Sequence, residues 1–222
     1  MPFSDTEVWE EDDSDTPFHT RQNTERSGFM KRIASYIIVS LALSSTQTAF
    51  SAQPVDSDMQ SAPVTAPCLT RTQLSREMTP VTLDTTLVSC VKASRLDDAV
   101  FLFALSGVFG RYDAMRVADS TAAQAVKIVR MNAMQSMPAD KREIFEEHLK
   151  TIMGNAVKKA QLCVAAHDFG APAYYPAYMV NHGLSAMQAA MSGQPMKDGG
   201  LRSDFDSTKG WNDALTGYLQ CD

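Results

Sequence analysis

Apolar residues with helical spacing recur through most of the chain after Cys68, and this pattern constrains the fold more than any other feature. It is clearest within residues 138–162, at positions 144, 145, 149, 152, 153, 156, 157 and 160. Such spacing gathers apolar side chains on one face of an α-helix. Residues 95–117 are apolar around more than one face, which is typical of a central, buried helix. The sequence therefore predicts an all-α fold.

Residues that start or stop helices divide this pattern into separate elements. A first helix is indicated by apolar residues from Leu83 onward, although neighbouring threonines leave a strand over residues 81–88 open as an alternative. Ser94 and Asp97 match a capping box that would begin the second helix. Four more helices are predicted, over residues 120–135, 138–162, 175–192 and 211–221. We therefore expect an irregular bundle of five or six helices.

Residues 30–52 have the order of a secretory signal peptide. Met30, Lys31 and Arg32 precede an apolar run over residues 33–43, and small residues follow at 49, 51 and 52. The run is too short to span a bilayer, which takes about 20 apolar residues. We expect cleavage after Ser51 or Ala52, no membrane-spanning segment in the cleaved chain, and a periplasmic or secreted location.

The remaining segments are interpreted from composition. Residues 1–29 are acidic without a periodic apolar face, which is typical of disorder. We interpret them as an extension from a start codon assigned too early, with a cytoplasmic tail on an uncleaved anchor as the alternative. Residues 53–67, rich in Pro, Ser and Ala, predict a flexible linker. Residues 68–222 have the length of a single helical domain.

The charge balance of the exported part excludes a nucleic-acid-binding protein. Eight acidic and 4 basic residues precede Gln53, which leaves 18 and 16 of the chain's 26 acids and 20 bases. A nearly balanced chain of this kind lacks the basic surface that nucleic acids and anionic membranes require.

Four cysteines lie in the helical part: Cys68, Cys90, Cys163 and Cys221. An even number in an exported protein predicts two disulfides. If successive helices run up and down, Cys163 and Cys221 lie at the same end of the bundle. Joining Cys90 to Cys163 would then span about 30 Å, whereas disulfide-bonded Cα atoms lie within about 7 Å. We therefore predict the pairs Cys163–Cys221 and Cys68–Cys90.

Candidate catalytic residues are few. The sequence has no Gly-x-Ser-x-Gly turn and no glycine-rich phosphate loop after a strand. His167, Asp168 and His182 are the alternative, since an Asp-oriented histidine with a second histidine nearby can bind a metal or act as a general base. We expect no enzymatic activity, catalytic residues, metal or cofactor, with a small metal-dependent or hydrolytic enzyme as the alternative.

Aromatic and methionine side chains leave two further interpretations open. Tyr174, Tyr175 and Tyr178 form a cluster that is either a partner interface or a corner packed against the bundle. Met179, Met187 and Met191 share one face of the predicted fifth helix, an arrangement more typical of core packing than of a copper site or partner groove.

The signal at residues 30–52, the four cysteines and the helical periodicity together resemble the small periplasmic immunity proteins that neutralise toxins delivered by neighbouring bacteria. The resemblance is one of architecture and includes no sequence motif. It implies a non-enzymatic protein of the bacterial cell envelope that binds or inhibits another protein, in an immunity-type or chaperone-like role. It does not specify the partner or the oligomeric state.

Overall fold

The structure, a computed structural model, describes residues 66–221, and within them the predicted all-α bundle stapled by two disulfides is confirmed. The predicted extension at 1–29, the signal at 30–52 and all but the end of the linker at 53–67 lie outside the described residues. The helices are α1 (Pro80–Lys92), α2 (Leu96–Arg116), α3 (Gln124–Gln135), α4 (Ala139–Gly154), α5 (Ala156–Phe169), α6 (Ala177–Val180), α7 (Leu184–Ser192) and α8 (Ser207–Ala214).

The six predicted helices become eight within residues 66–221 because two of them are broken. The helix expected over residues 138–162 ends at Gly154, and the Asn155 side chain accepts a 3.0 Å hydrogen bond from the Lys158 N–H to begin α5. The helix expected over residues 175–192 divides into α6 and α7 at Gly183. A Cβ at Gly183 would collide with the Asp119 carboxylate, so the chain needs glycine there.

The first helix is α1, and the alternative of a strand over residues 81–88 is wrong. The Thr85 and Thr86 hydroxyls donate to the carbonyl oxygens of Val81 and Thr82, four residues earlier, at 2.8 and 2.9 Å. Their polar atoms are therefore satisfied inside the helix. Helical spacing also buries the apolar side chains of α1 completely at positions 83, 87, 90 and 91. This burial outweighs the weak β-propensity of threonine.

The capping box predicted at Ser94 is also wrong, because Ser94 ends α1 instead of beginning α2. Its φ is 59°, in the left-handed region. The Arg95 N–H donates to the Cys90 carbonyl at 2.9 Å, and the Ser94 N–H donates to the Val91 carbonyl at 3.0 Å. These two bonds make a Schellman turn. Since three residues join α1 to α2, one residue has to turn the chain, and Ser94 does so.

Helix α2 occupies the centre, as its apolar sequence predicts. Phe109 is fully buried, with its ring centroid 5.9 Å from that of Trp211 and 6.1 Å from those of Phe169 and Tyr174. These contacts bring α5, α8 and the segment before α6 against one helix. Aromatic pairs at such separations add stabilisation beyond the apolar area that they bury.

The disulfides join Cys68 to Cys90 and Cys163 to Cys221, with Cα separations of 4.5 and 5.6 Å. These are the predicted pairs, although the argument from alternating helices treated α4 and α5 as one helix. The first disulfide ties the segment before α1 to the end of that helix. The second ties α5 to the end of the chain, beyond a π-type turn at Leu215–Leu219.

A buried carboxylate joins the end of α2 to the segment around α6. Asp113 is fully buried, and its Oδ1 accepts from Nε and Nη2 of Arg116 at 2.9 and 2.8 Å. Its Oδ2 accepts from the hydroxyls of Tyr174 and Tyr178 at 2.7 and 2.9 Å. Burial raises the pKa of Asp113, while the Arg116 charge and the donated hydrogen bonds act in the opposite direction.

We expect Asp113→Ala to destabilise the protein by about 3–5 kcal/mol, because it leaves the largely buried Arg116 guanidinium, 12% exposed, without its ionic partner. Urea unfolding followed by circular dichroism measures the change. Asp204→Ala is the matched control, since Asp204 also pairs with an arginine, Arg202, but at the surface. Its unfolding midpoint should stay at the wild-type value. Equal effects of the two substitutions would contradict the structural role of Asp113.

Candidate functional site

The structure does not bring the three candidate catalytic residues together. His167 and Asp168 lie near the end of α5 with exposed side chains, Nδ1 being 3.3 Å from Oδ1. His182 lies between α6 and α7, with its Nδ1 2.8 Å from the carbonyl oxygen of Tyr178. Within residues 66–221, no three His, Cys, Asp or Glu side chains are grouped so that they could hold a metal.

The tyrosine cluster divides between core and surface. Tyr178 is 1% exposed, and the hydroxyls of Tyr178 and Tyr174 both donate hydrogen bonds to the Asp113 carboxylate. Burial raises the pKa of each hydroxyl well above its ordinary value, and the nearby Asp113 charge adds to this rise. Tyr175 alone is exposed, at 47%, and its hydroxyl donates to the Gly199 carbonyl. Tyr178 therefore packs the corner and offers no surface to a partner, and the partly buried Tyr174 has its hydroxyl bonded to Asp113.

The methionines do not share one helical face, because the predicted helix is broken. Met179 lies on α6 and is fully buried. Met187 and Met191 lie on α7 and are 60% and 83% exposed. The expected core packing therefore holds for Met179 only, and the other two side chains face solvent.

Helix α7 is the most unusual surface element among the described residues. Its sequence, LSAMQAAMS, has no charged residue, and none of its nine residues is buried. Leu184, Met187 and Met191 follow one another at helical spacing and are all more than half exposed. Single exposed apolar side chains are ordinary, but an uncharged helix that presents three of them is typical of a binding surface.

The sequence carries a signal for this surface that the helical pattern alone does not reveal. Residues 169–196 contain no Asp, Glu, Lys or Arg, in a chain of which 21% of the residues are charged. Depletion of charge is what distinguishes the centre of a protein interface from the rest of a protein surface. A scan for uncharged runs would have found α7.

Side chains from the turn before α3 hold the start of α7 in place. The Asp119 Oδ2 accepts from the Ser185 N–H at 2.7 Å, and its Oδ1 accepts from the Thr121 N–H at 2.9 Å. The Thr121 hydroxyl accepts from the Leu184 N–H at 3.0 Å. The hydrogen bonds from the Ser185 N–H and from the Thr121 hydroxyl, the latter at 2.6 Å, stabilise the charged carboxylate and lower the pKa of Asp119 to about 2. The exposed helix therefore has a fixed position on the bundle.

A groove of about 290 Å³ lies between α7 and residues 194–200. Apolar side chains contribute much of its lining, namely Val117, Val180, Ala189, Pro195 and Met196. The uncharged polar residues Ser185, Gln188, Ser192 and Gln194 line it as well, and the charged Asp119 and Lys197, which lie outside α7, complete the lining. Such a groove beside an exposed apolar helix can receive a side chain from a bound protein.

Comparison with known proteins gives no information about this surface. No protein-family model matches the chain, and no curated protein or solved structure matches it either.

Two observations bear on location. Two disulfides fit an extracellular or periplasmic protein, because such bonds persist in oxidising compartments. Within residues 66–221, every helix falls short of the combined length and apolar character needed to cross a bilayer.

We expect α7 to loosen in acid as Asp119 becomes protonated. Folding lowers the pKa of this carboxyl group from 3.8 to about 2. Its contribution to stability is therefore complete above about pH 4 and is lost as the pH falls through 2. Amide hydrogen exchange of residues 185–192, corrected for intrinsic rates, measures the loosening.

Asp119→Asn is the control for this pH dependence, since it keeps one side-chain oxygen but does not titrate. Between pH 4 and pH 2 the exchange of its α7 amides should change less than that of the wild type. Identical pH profiles for the two proteins would show that Asp119 does not anchor the helix.

Proposed function

We propose that the protein is an exported, non-enzymatic helical protein of the bacterial cell envelope that binds a protein partner through α7. The observation that carries the proposal is the uncharged, solvent-exposed face of Leu184, Met187 and Met191. Burying these side chains against a partner removes apolar surface from water and leaves no charge of α7 unpaired.

The chemistry of the surface specifies the partner's contact segment. A charged side chain placed against α7 would lose water without gaining an ionic partner, which is costly. An uncharged, apolar segment has no such penalty, and flexible methionine side chains adapt to its shape. The partner should therefore present such a segment, with one apolar side chain entering the groove between α7 and residues 194–200.

The fixed position of α7 favours an immunity-type inhibitor with one defined partner over a chaperone-like protein with many clients. Thr121 and Asp119 hold the start of the helix by two hydrogen bonds, which they accept from the backbone N–H groups of Leu184 and Ser185. A surface that is already ordered loses less conformational entropy on binding, and this preorganisation increases affinity for a matching shape.

Export is supported by the segment at residues 30–52 and by the two disulfides. The non-enzymatic part of the proposal is supported by the separation of His182 from the exposed His167–Asp168 pair. Those residues are the chemical candidates in the sequence, and among the described residues they form no metal-binding group.

Site-specific photo-crosslinking in cells of the source bacterium tests the binding surface. A benzophenone amino acid at position 187 should yield one discrete crosslinked species in the cell envelope. The same probe at position 144 is the control, because Ile144 is an equally exposed apolar residue, at 52%, on α4. It should yield no such species. Crosslinking that is independent of position, or absent from both, would contradict the proposal.

We expect Met191→Glu, combined with the probe at 187, to reduce crosslinking at least tenfold, because it places a charge inside the interface. Ile144→Glu should leave crosslinking unchanged. Many crosslinked species instead of one, all lost with Met191→Glu, would replace the immunity-type role with the chaperone-like one.

We expect the exported protein to begin at residue 52 or 53. A positively flanked apolar run followed by small residues directs cleavage to that point. Intact-mass spectrometry of the protein from a periplasmic fraction measures the N-terminus. A mature species that retains residues 7–15 would show that no cleavable signal is present.

A further inference from the structure

The Cys163–Cys221 disulfide shares a surface groove with the His167–Asp168 pair, which the proposed function does not use. The groove has a volume of about 440 Å³ and lies between α5 and the end of the chain. Both cysteines line it, together with His167 and Asp168. A disulfide, an imidazole and a carboxylate are thus open to the same solvent-filled space.

The position of His167 on α5 directs it toward the disulfide. Residues four apart on a helix are neighbours on one face, with Cβ atoms about 5–6 Å apart, so His167 lies one turn beyond Cys163. The Asp168 carboxylate, 3.3 Å from Nδ1, orients the ring and leaves Nε2 for another partner. Imidazole is the side chain that exchanges protons most readily near neutral pH.

The other disulfide has a different environment. Cys90 is fully buried in the core, and its sulfur is 3.8 Å from the Leu69 carbonyl oxygen. Its partner Cys68 is partly exposed, as are both Cys163 and Cys221. Thiol–disulfide exchange requires a thiolate to reach a sulfur atom, and of the two bonds only Cys163–Cys221 has both of its residues partly exposed.

We propose that Cys163–Cys221 is a thiol-exchange site whose substrate is a low-molecular-weight thiol, with His167 as the proton donor. The thiolate attacks Cys221 Sγ and forms a mixed disulfide, while the Cys163–Cys221 bond breaks and its electron pair passes to Cys163 Sγ. His167 donates a proton to that sulfur. A second thiolate attacks the small-molecule sulfur of the mixed disulfide and releases Cys221 as a thiolate, which takes a proton from solvent. Two small thiols are oxidised to one disulfide, and the protein disulfide is reduced to two thiols.

Opening this bond would release the end of the chain from α5. Gln220, next to Cys221, has a φ of 55°, in the left-handed region that disfavours residues other than glycine. Without the disulfide, the final turn is held mainly by the buried side chains of Leu215 and Leu219. The Cys163–Cys221 disulfide therefore holds the C-terminal turn against α5 only while it is oxidised. This proposal does not depend on the proposed function of α7.

Native-state reduction tests the access that this site requires. The purified exported protein is treated with dithiothreitol without denaturant, samples are alkylated over time, and both disulfides are followed by peptide mapping. Cys163–Cys221 should open at least tenfold faster than Cys68–Cys90. Equal rates, or faster opening of Cys68–Cys90, would overturn the proposal.

His167→Gln tests the proton donor separately. It should slow the opening of Cys163–Cys221 several-fold and leave Cys68–Cys90 unchanged. His182→Gln is the matched control, since His182 is distant in sequence from both disulfides and is hydrogen-bonded to the Tyr178 carbonyl, and both rates should keep their wild-type values. Thermal unfolding by circular dichroism verifies that the variants are folded. An unchanged rate in folded His167→Gln would overturn the role of His167.

Discussion

The four hydrogen bonds that converge on the Asp113 carboxylate hold in place the part of the chain from which α7 emerges. They join the end of α2 to Tyr174 and Tyr178, on either side of the start of α6. Arg116 adds a hydrogen bond to the Tyr174 carbonyl at 2.8 Å. Because ionised groups form stronger hydrogen bonds than neutral ones, one buried carboxylate can fix a segment that has no charges of its own.

The charged residues that anchor α7 and the segment before it lie at the end of α2 and in the turn that follows α2. Asp113, Arg116 and Asp119 lie at successive intervals of three residues, and each binds the uncharged run over residues 169–196. That run therefore keeps its surface free of charge while remaining anchored. The apolar face of α7 therefore comes from residues 169–196, and the charged side chains that anchor this run come from residues 113–119.

Local patterns predicted most of the fold. Apolar spacing identified the central α2, and the order of the helices led to the disulfide pairs that the structure contains. The helix breaks at Gly154 and Gly183 were harder to predict. At the first of them, Asn155 directly after Gly154 does indicate the end of one helix and the cap of the next. Ser94 was misread because serine caps the start of a helix far more often than it adopts a left-handed turn.

The candidate surface could be predicted only in part. Its lack of charge is visible in the sequence, but the segment that precedes it is held by Asp113 bonding to tyrosines 61 and 65 residues away. No local pattern encodes such a contact. The same contact holds Tyr174 partly buried and Tyr178 fully buried, while Tyr175 is exposed. It also explains why the methionines separate into buried and exposed sets once the helix is broken at Gly183.

Solvent exposure of the methionine methyl groups tests the position of α7 most directly. Labelled ¹³C-methyl methionine spectra, recorded with a soluble gadolinium complex, report how closely solvent approaches each side chain. The structure predicts strong line broadening for Met187 and Met191, and little for Met179 and Met137, which are 0% and 4% exposed. Equal protection of all four methyl groups would mean that α7 is packed away from solvent, and it would contradict a binding role for this helix.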